Sequence, residues 1–106
     1  MKLEIGDKVY EMEYTVNAVC DLEEMTGKGL GDVLSVSGLS SVRALLWCGL
    51  AAHTPTLTMA QAGALLQEYM AEHSMEDLVA IITEAIEAAG FMKAQSSPKK
   101  AVRRIK

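Results

Sequence analysis

The side chains that could perform catalysis or bind a metal ion are two cysteines and two histidines. Cys48 lies five residues before His53, so folding could bring an imidazole base towards the thiol. Both Cys20 and Cys48 fall within apolar segments, where thiols behave as small hydrophobic side chains. His53 and His73 lie twenty residues apart, each where a helix is expected to end. We therefore predict no enzyme activity, no metal site and no cofactor, with a Cys48-based enzyme as an alternative.

A glycine-rich segment, Gly27-Lys28-Gly29-Leu30-Gly31, could in principle cradle a phosphate. A phosphate-binding loop, however, needs a glycine where Leu22 stands and Ser or Thr directly after the lysine. The dinucleotide fingerprint fails as well, because Asp32 occupies the place of its third glycine. We expect Gly27 to end a helix in the left-handed conformation instead.

Seven methionines in 106 residues could form an adaptable binding surface, because the flexible thioether packs against varied partners. They could equally fill gaps in a core with few aromatic residues, and we predict this for Met25 and Met70. Trp47 lies in an apolar segment and is either a core residue or an interface anchor. The candidate partner-binding residues of the body are Trp47 and three methionines at the edges of predicted elements, Met12, Met59 and Met75.

The charges divide the chain into an acidic body and a basic tail. Residues 1–92 hold all 14 acids and four Lys or Arg, a formal charge of −10, whereas residues 93–106 hold six basic residues and no acid. The acidic body repels phosphate, so only the tail, which is predicted to be mobile, could bind nucleic acid. The tail has no aromatic residue for base stacking, and docking on an acidic neighbour is a further possibility. Its candidate partner-binding residues are Lys99, Lys100, Arg103 and Arg104.

Length and composition indicate one small globular domain, residues 1–92, followed by the tail. The chain is 50% hydrophobic and 23% charged, a balance that opposes disorder of the body. The longest apolar run, residues 44–52, is far shorter than the roughly 20 residues of a membrane-spanning helix. The first residues lack the apolar segment of a secretory signal, so we expect a cytoplasmic protein without a membrane partner.

A β-hairpin and several helices are predicted to position these residues. Apolar and polar residues alternate on both sides of Gly6-Asp7 over residues 3–14, which predicts a hairpin with a tight primed turn. A two-stranded ribbon is marginal alone, so its apolar face must pack on helices. The predicted fold class is mainly α with an N-terminal β-hairpin (α+β), a small bundle of about four helices.

The first helix is predicted over residues 16–25, and a short helix can follow over residues 30–36. The adjacent Glu23 and Glu24 are expected on the solvated face of the first helix. Its inward-facing residues are expected to be Val16, Val19, Cys20 and Leu22.

The next helix, residues 42–52, is apolar on nearly every side, which is typical of a central helix or one shared with another subunit. Ser40 or Ser41 is expected to cap it. The last two helices are marked by capping residues. Thr58 and Gln61 predict a capping box at the start of the first of them. Ser74 and Gly90 are expected at the start and the end of the second.

Four segments within residues 3–92 together have the pattern of a known family. They are the hairpin, the helix end Leu22-Glu23-Glu24-Met25-Thr26-Gly27, the run Arg43-Ala44-Leu45-Leu46-Trp47-Cys48-Gly49-Leu50, and residues 58–66. This pattern resembles the small tail assembly chaperones of long-tailed bacteriophages and related gene transfer agents.

The resemblance implies a non-catalytic protein of the infected or lysogenic bacterial cytoplasm that is absent from the finished virion. Such chaperones coat the helical tape measure protein, keep it soluble and help to recruit tail tube protein. The family also implies a longer frameshifted product, for which residues 93–106 could begin a linker. We further expect self-association, with the tail of one subunit on the body of the next. A small regulatory protein that binds nucleic acid through the tail is the alternative.

Overall fold

The computed structural model describes residues 1–35 and 38–91, and over these ranges the chain forms a hairpin followed by five helices. The predicted class, mainly α with an N-terminal β-hairpin, is confirmed. The short second helix makes one more than the four counted from the sequence. None of the described helices is both long and apolar enough to cross a membrane. The elements are β1 (Lys2–Ile5), β2 (Lys8–Glu11), α1 (Val16–Thr26), α2 (Leu30–Ser35), α3 (Leu39–Ala51), α4 (Met59–Met70) and α5 (Met75–Ala89).

The two strands pair in an antiparallel register that leaves a two-residue turn. Ile5 lies opposite Lys8, so Gly6 and Asp7 form the connection. Gly6 has a φ of 64°, and no other residue of the turn has a positive φ, which is the pattern of a type II′ turn. Leu3 and Ile5 point from β1 into the core, so the hairpin is covered by the helices on one face.

Helix α3 is the centre of the bundle and packs against α1, α2, α4 and α5. Of the two alternatives predicted for this helix, the first, a central buried helix, is confirmed. The predicted cap at Ser40 or Ser41 is wrong, because Gly38 takes the extended N-cap conformation and both serines lie inside the helix. The buried residues of α3 are Val42, Ala44, Leu45, Leu46, Cys48, Gly49 and Leu50.

The other predicted helix ends are found where the sequence places them. Thr58 and Gln61 form the reciprocal capping box at the start of α4, and the Ser74 side chain accepts a backbone N–H bond at the start of α5. Gly27 and Gly90 end α1 and α5 in the left-handed conformation, with φ values of 72° and 91°. Local chemistry is therefore sufficient to position these ends.

Helix α1 buries only part of the face that the sequence predicts. Ala18, Val19 and Leu22 are buried, whereas Val16 and Cys20 are exposed. With 3.6 residues per turn, positions 16 and 20 lie on the opposite side of the helix from positions 18 and 22. The predicted inward positions of Val16 and Cys20 are therefore wrong, whereas those of Val19 and Leu22 are confirmed.

Two further predictions, for methionines on α1 and α4 and for Glu23, also need correction. Met25 and Met70, predicted in the core, have 53% and 40% of their surface exposed, since each lies at the end of its helix. Glu23, predicted on the solvated face, is half-buried and accepts the backbone N–H of Leu30 at 2.9 Å. Glu23 thus satisfies a donor at the first turn of α2, while its neighbour Glu24 is exposed.

Candidate functional site

The cysteine proposed as an alternative nucleophile lies in the core. Cys48 is fully buried, and this burial, with a smaller effect of Asp21, raises the pKa of its thiol to about 12. The thiol is therefore protonated at neutral pH and poorly nucleophilic. His53 pairs with a different residue, since its Nε2 lies 2.7 Å from Glu13 Oε1. These positions disfavour the Cys48-based enzyme.

The second histidine has a structural contact at a helix end. The ring of His73 stacks on Tyr69 with centroids 4.5 Å apart, and its backbone N–H donates to the Tyr69 carbonyl oxygen. Within residues 1–35 and 38–91, no group of three or more His, Cys, Asp or Glu side chains is arranged to hold a metal ion.

The predicted partner-binding residues do not share one environment. Met12 has 1% of its surface exposed and belongs to the core, so the interpretation of Met12 as a surface contact is corrected. Trp47, Met59 and Met75 are half-buried against the core. The indole N–H of Trp47 donates to the Leu57 carbonyl oxygen at 3.1 Å, which holds the α3–α4 connection against α3. The four tail candidates, Lys99, Lys100, Arg103 and Arg104, lie outside the described residues.

A candidate binding feature of the described residues is an open groove between α3 and α4, which we call the α3/α4 groove. Its volume is about 610 Å³. Small residues line both sides, Ser40 on α3 and Gly63 on α4, and leave space between the two helices. The full lining is Leu39, Ser40 and Arg43 from α3, and Gly63, Leu66, Gln67, Met70 and Ala71 from α4 and its C-cap.

Exposed apolar side chains lie on both walls of the α3/α4 groove. Leu39 is 56% exposed on one wall, and Met70 is exposed on the other. Leu66 is buried between α4 and the core and supplies an apolar floor. A single exposed apolar residue such as Met25 is ordinary, but apolar residues that face each other across a groove are typical of a binding surface.

The only charged side chain in the lining is Arg43. A Cβ atom at Gly63 would lie 3.2 Å from Arg43 Cδ, so the absence of a side chain at Gly63 lets the aliphatic part of Arg43 lie along α4. Arg43 forms no ion pair with any residue described by the structure. In the sequence, Arg43 is the only charged residue of the apolar segment 42–52, and nothing there indicates its contact with Gly63. Gly63 could have been noticed from the sequence, because it lies inside a predicted helix. Glycine at such a position destabilises the helix by about 1 kcal/mol relative to alanine, which indicates a packing or functional reason for it.

A smaller groove of about 390 Å³ lies between the β2–α1 connection and the last turns of α5. Met12 and Tyr14 contribute to one side, and Ala85 and Ala89 to the other. Phe91, the last described residue, also lines it. The described chain therefore ends beside this smaller groove, and not at the α3/α4 groove.

The chemistry available in the α3/α4 groove is non-covalent recognition. It offers apolar contact, one guanidinium that can donate hydrogen bonds, and the polar groups of Ser40 and Gln67. Comparison with protein-family models, with curated proteins and with solved structures finds no match to this chain.

Proposed function

We propose that this protein binds an amphipathic helix of another polypeptide in the α3/α4 groove, and that it acts as a phage or prophage tail assembly chaperone. The observation that carries the proposal is the pair of exposed apolar residues, Leu39 and Met70, on opposite walls of the groove. A helix presents apolar side chains at every third or fourth position, and such a row fits into a groove between two helices. An acidic exterior keeps the protein soluble while this apolar surface is exposed.

The tape measure protein is the proposed partner. The resemblance of residues 3–92 to tail assembly chaperones supports this choice, because those proteins keep a long, helical and aggregation-prone chain in solution. Recruitment of tail tube protein, action in the host bacterial cytoplasm and absence from the mature virion belong to the same proposal. Self-association through the basic tail would let successive subunits line up along the bound chain.

A coexpression experiment with a matched control tests the proposal. The protein is produced together with the large helical product of a neighbouring gene, and the soluble fraction and copurification of that product are measured. Met70→Ser and Leu39→Ser should each reduce both, because each removes apolar contact from the groove. Met25→Ser makes the same change as Met70→Ser on α1, away from the groove, and should leave both unchanged.

Two results would overturn the proposal. One is a wild-type protein that neither binds the product nor keeps it soluble. The other is an equal loss of binding in Met70→Ser and Met25→Ser, since the groove would then have no particular part in recognition.

The basic tail supports a second candidate, a small regulatory protein that binds DNA or RNA. Six basic residues without an acid form a strongly charged segment over residues 93–106. Binding through this segment should weaken steeply with salt and should disappear when residues 93–106 are removed. An electrophoretic mobility shift at two salt concentrations, with full-length and truncated chains, distinguishes the two candidates.

A further inference from the structure

We infer that Arg43 selects the helix bound in the α3/α4 groove by pairing with a carboxylate, so that the occupant carries Asp or Glu beside its apolar face. The inference rests on the proposed function of the groove and specifies the chemistry of its partner. Arg43 is exposed and forms no ion pair within the described residues. The aliphatic part of its side chain packs against Gly63.

The α3/α4 groove differs in charge from the body as a whole. Residues 1–92 contain 14 acids, yet none of them lines the groove. The lining therefore carries a single positive charge within a body of formal charge −10. A carboxylate bound in the groove would meet this guanidinium with no acid in the lining to repel it, and the two can form a bidentate pair.

The same charge argues against two other kinds of occupant. A basic helix, including residues 93–106 with their six positive charges, would bring like charges together at Arg43. A fully apolar helix would cover the guanidinium without supplying an acceptor, which is costly for a charged group. An amphipathic helix with one well-placed acid avoids both problems.

The positions of the lining residues predict the pattern of the occupant. Leu39 lies one helical turn before Arg43 on α3, and Met70 lies on the opposite wall. A bound helix that contacts both apolar walls should therefore place aliphatic residues three or four positions from its carboxylate, because these positions share one face.

Three synthetic peptides of about 18 residues test the inference, a length at which an isolated helix can begin to form. Each has leucines on one face, and they differ only at a central position beside that face, which is Glu, Gln or Lys. Their dissociation constants are measured by fluorescence anisotropy at about 0.15 M salt, where charges more than about 8 Å away are largely screened. Wild-type protein should bind the Glu peptide tightest and the Lys peptide weakest, with about a three- to tenfold change at each step.

Charge reversal in the protein supplies the decisive comparison. Arg43→Glu should reverse the order, so that the Lys peptide binds tightest. Lys28→Glu makes the same change of net charge at an exposed position outside the groove and should keep the wild-type order. Gly63→Leu should weaken all three peptides, because its side chain occupies the groove. Circular dichroism of each variant verifies that the helices are retained.

The inference is overturned if wild-type protein binds the three peptides equally, if none binds, or if Lys28→Glu also reverses the order. It is also overturned if Arg43→Glu changes only the sedimentation of the protein, since the groove would then contact a second copy of this chain. Coexpression separates this failure from failure of the proposed function. If Arg43→Glu retains the tape measure protein in solution as well as wild type while Met70→Ser does not, the groove function stands and the charge selection is wrong.

Discussion

The ring of Tyr14 lies directly against the backbone of Gly49. A Cβ atom at residue 49 would be 2.7 Å from Tyr14 Cζ, well inside van der Waals contact. The hydroxyl of Tyr14 donates to the Leu45 carbonyl oxygen at 2.6 Å, and the backbone N–H of Glu13 donates to the Gly49 carbonyl oxygen at 2.8 Å. The segment that connects the hairpin to α1 is thus fixed on the central helix at a position where only glycine fits.

We predict that Gly49→Ala destabilises the protein although alanine favours helix formation. The added methyl group overlaps the Tyr14 ring, and overpacking of this kind costs about 1–3 kcal/mol, against a propensity gain of about 1 kcal/mol. The free energy of unfolding, measured by urea denaturation, should therefore fall. Gly31→Ala is the matched control, because no atom lies within 4 Å of the added Cβ in α2, and it should be neutral or stabilising. Greater stability of Gly49→Ala than of wild type would contradict the packing described here.

Buried Cys48 makes the stability of the protein sensitive to alkaline pH. Burial raises the pKa of its thiol from 9.0 in the unfolded chain to about 12, so above pH 9 the unfolded state loses its proton first. The free energy of unfolding should therefore be unaffected by this group below pH 9 and should decrease between pH 9 and about 12. Burial also raises the pKa of Tyr14, which adds a decrease with the same sign at higher pH.

Substitution of Cys48 tests this dependence. Cys48→Ala should lower stability at neutral pH, because it leaves a small cavity, but its decline with pH should be shallower than that of wild type. Urea denaturation at several pH values from 7 to 11 measures both effects. Parallel pH profiles for the two proteins would mean that Cys48 is not the group responsible.

The Glu23 carboxylate is expected to stabilise the start of α2. Because it accepts the Leu30 N–H at 2.9 Å, Glu23→Ala should cost about 0.5–2 kcal/mol, as the loss of a helix cap does. Glu24→Ala removes the same charge from an exposed neighbour and should change stability by less than about 0.5 kcal/mol. The unfolding temperatures of wild type and both variants measure these losses of stability. Equal losses of stability in the two variants would indicate that the change in net charge, and not the lost hydrogen bond to Leu30, is responsible.

The parts of the fold that sequence could predict are those determined by neighbouring residues. The capping box of Thr58 and Gln61 requires only one turn of chain, and Gly27 ends α1 through its own left-handed conformation. The α3/α4 groove could not be predicted in this way. Arg43 and Gly63 are twenty residues apart, and their contact depends on how two helices are placed side by side.

The exposed face of α1 shows the same limit. The apolar character of Val16 and Cys20 indicated burial, but which side of an amphipathic helix faces the core depends on the helices packed against it. Only Ala18, Val19 and Leu22 are buried. The small side chain of Ala18 is only weakly hydrophobic, so the sequence did not predict its burial. Side-chain type alone was therefore insufficient to assign the buried face.

Self-association is predicted to depend on the opposite charges of tail and body. If six basic residues of one subunit contact the acidic body of another, removal of residues 93–106 should lower the sedimentation coefficient of the assembled species. Raising salt from about 0.1 M to 1 M should do the same, since the screening length falls from about 10 Å to 3 Å. A full-length variant with all six Lys and Arg of the tail changed to Gln separates charge from length, and it should behave like the truncated chain. An unchanged sedimentation profile in that variant would show that charge attraction between tail and body does not hold subunits together, whatever the effect of truncation.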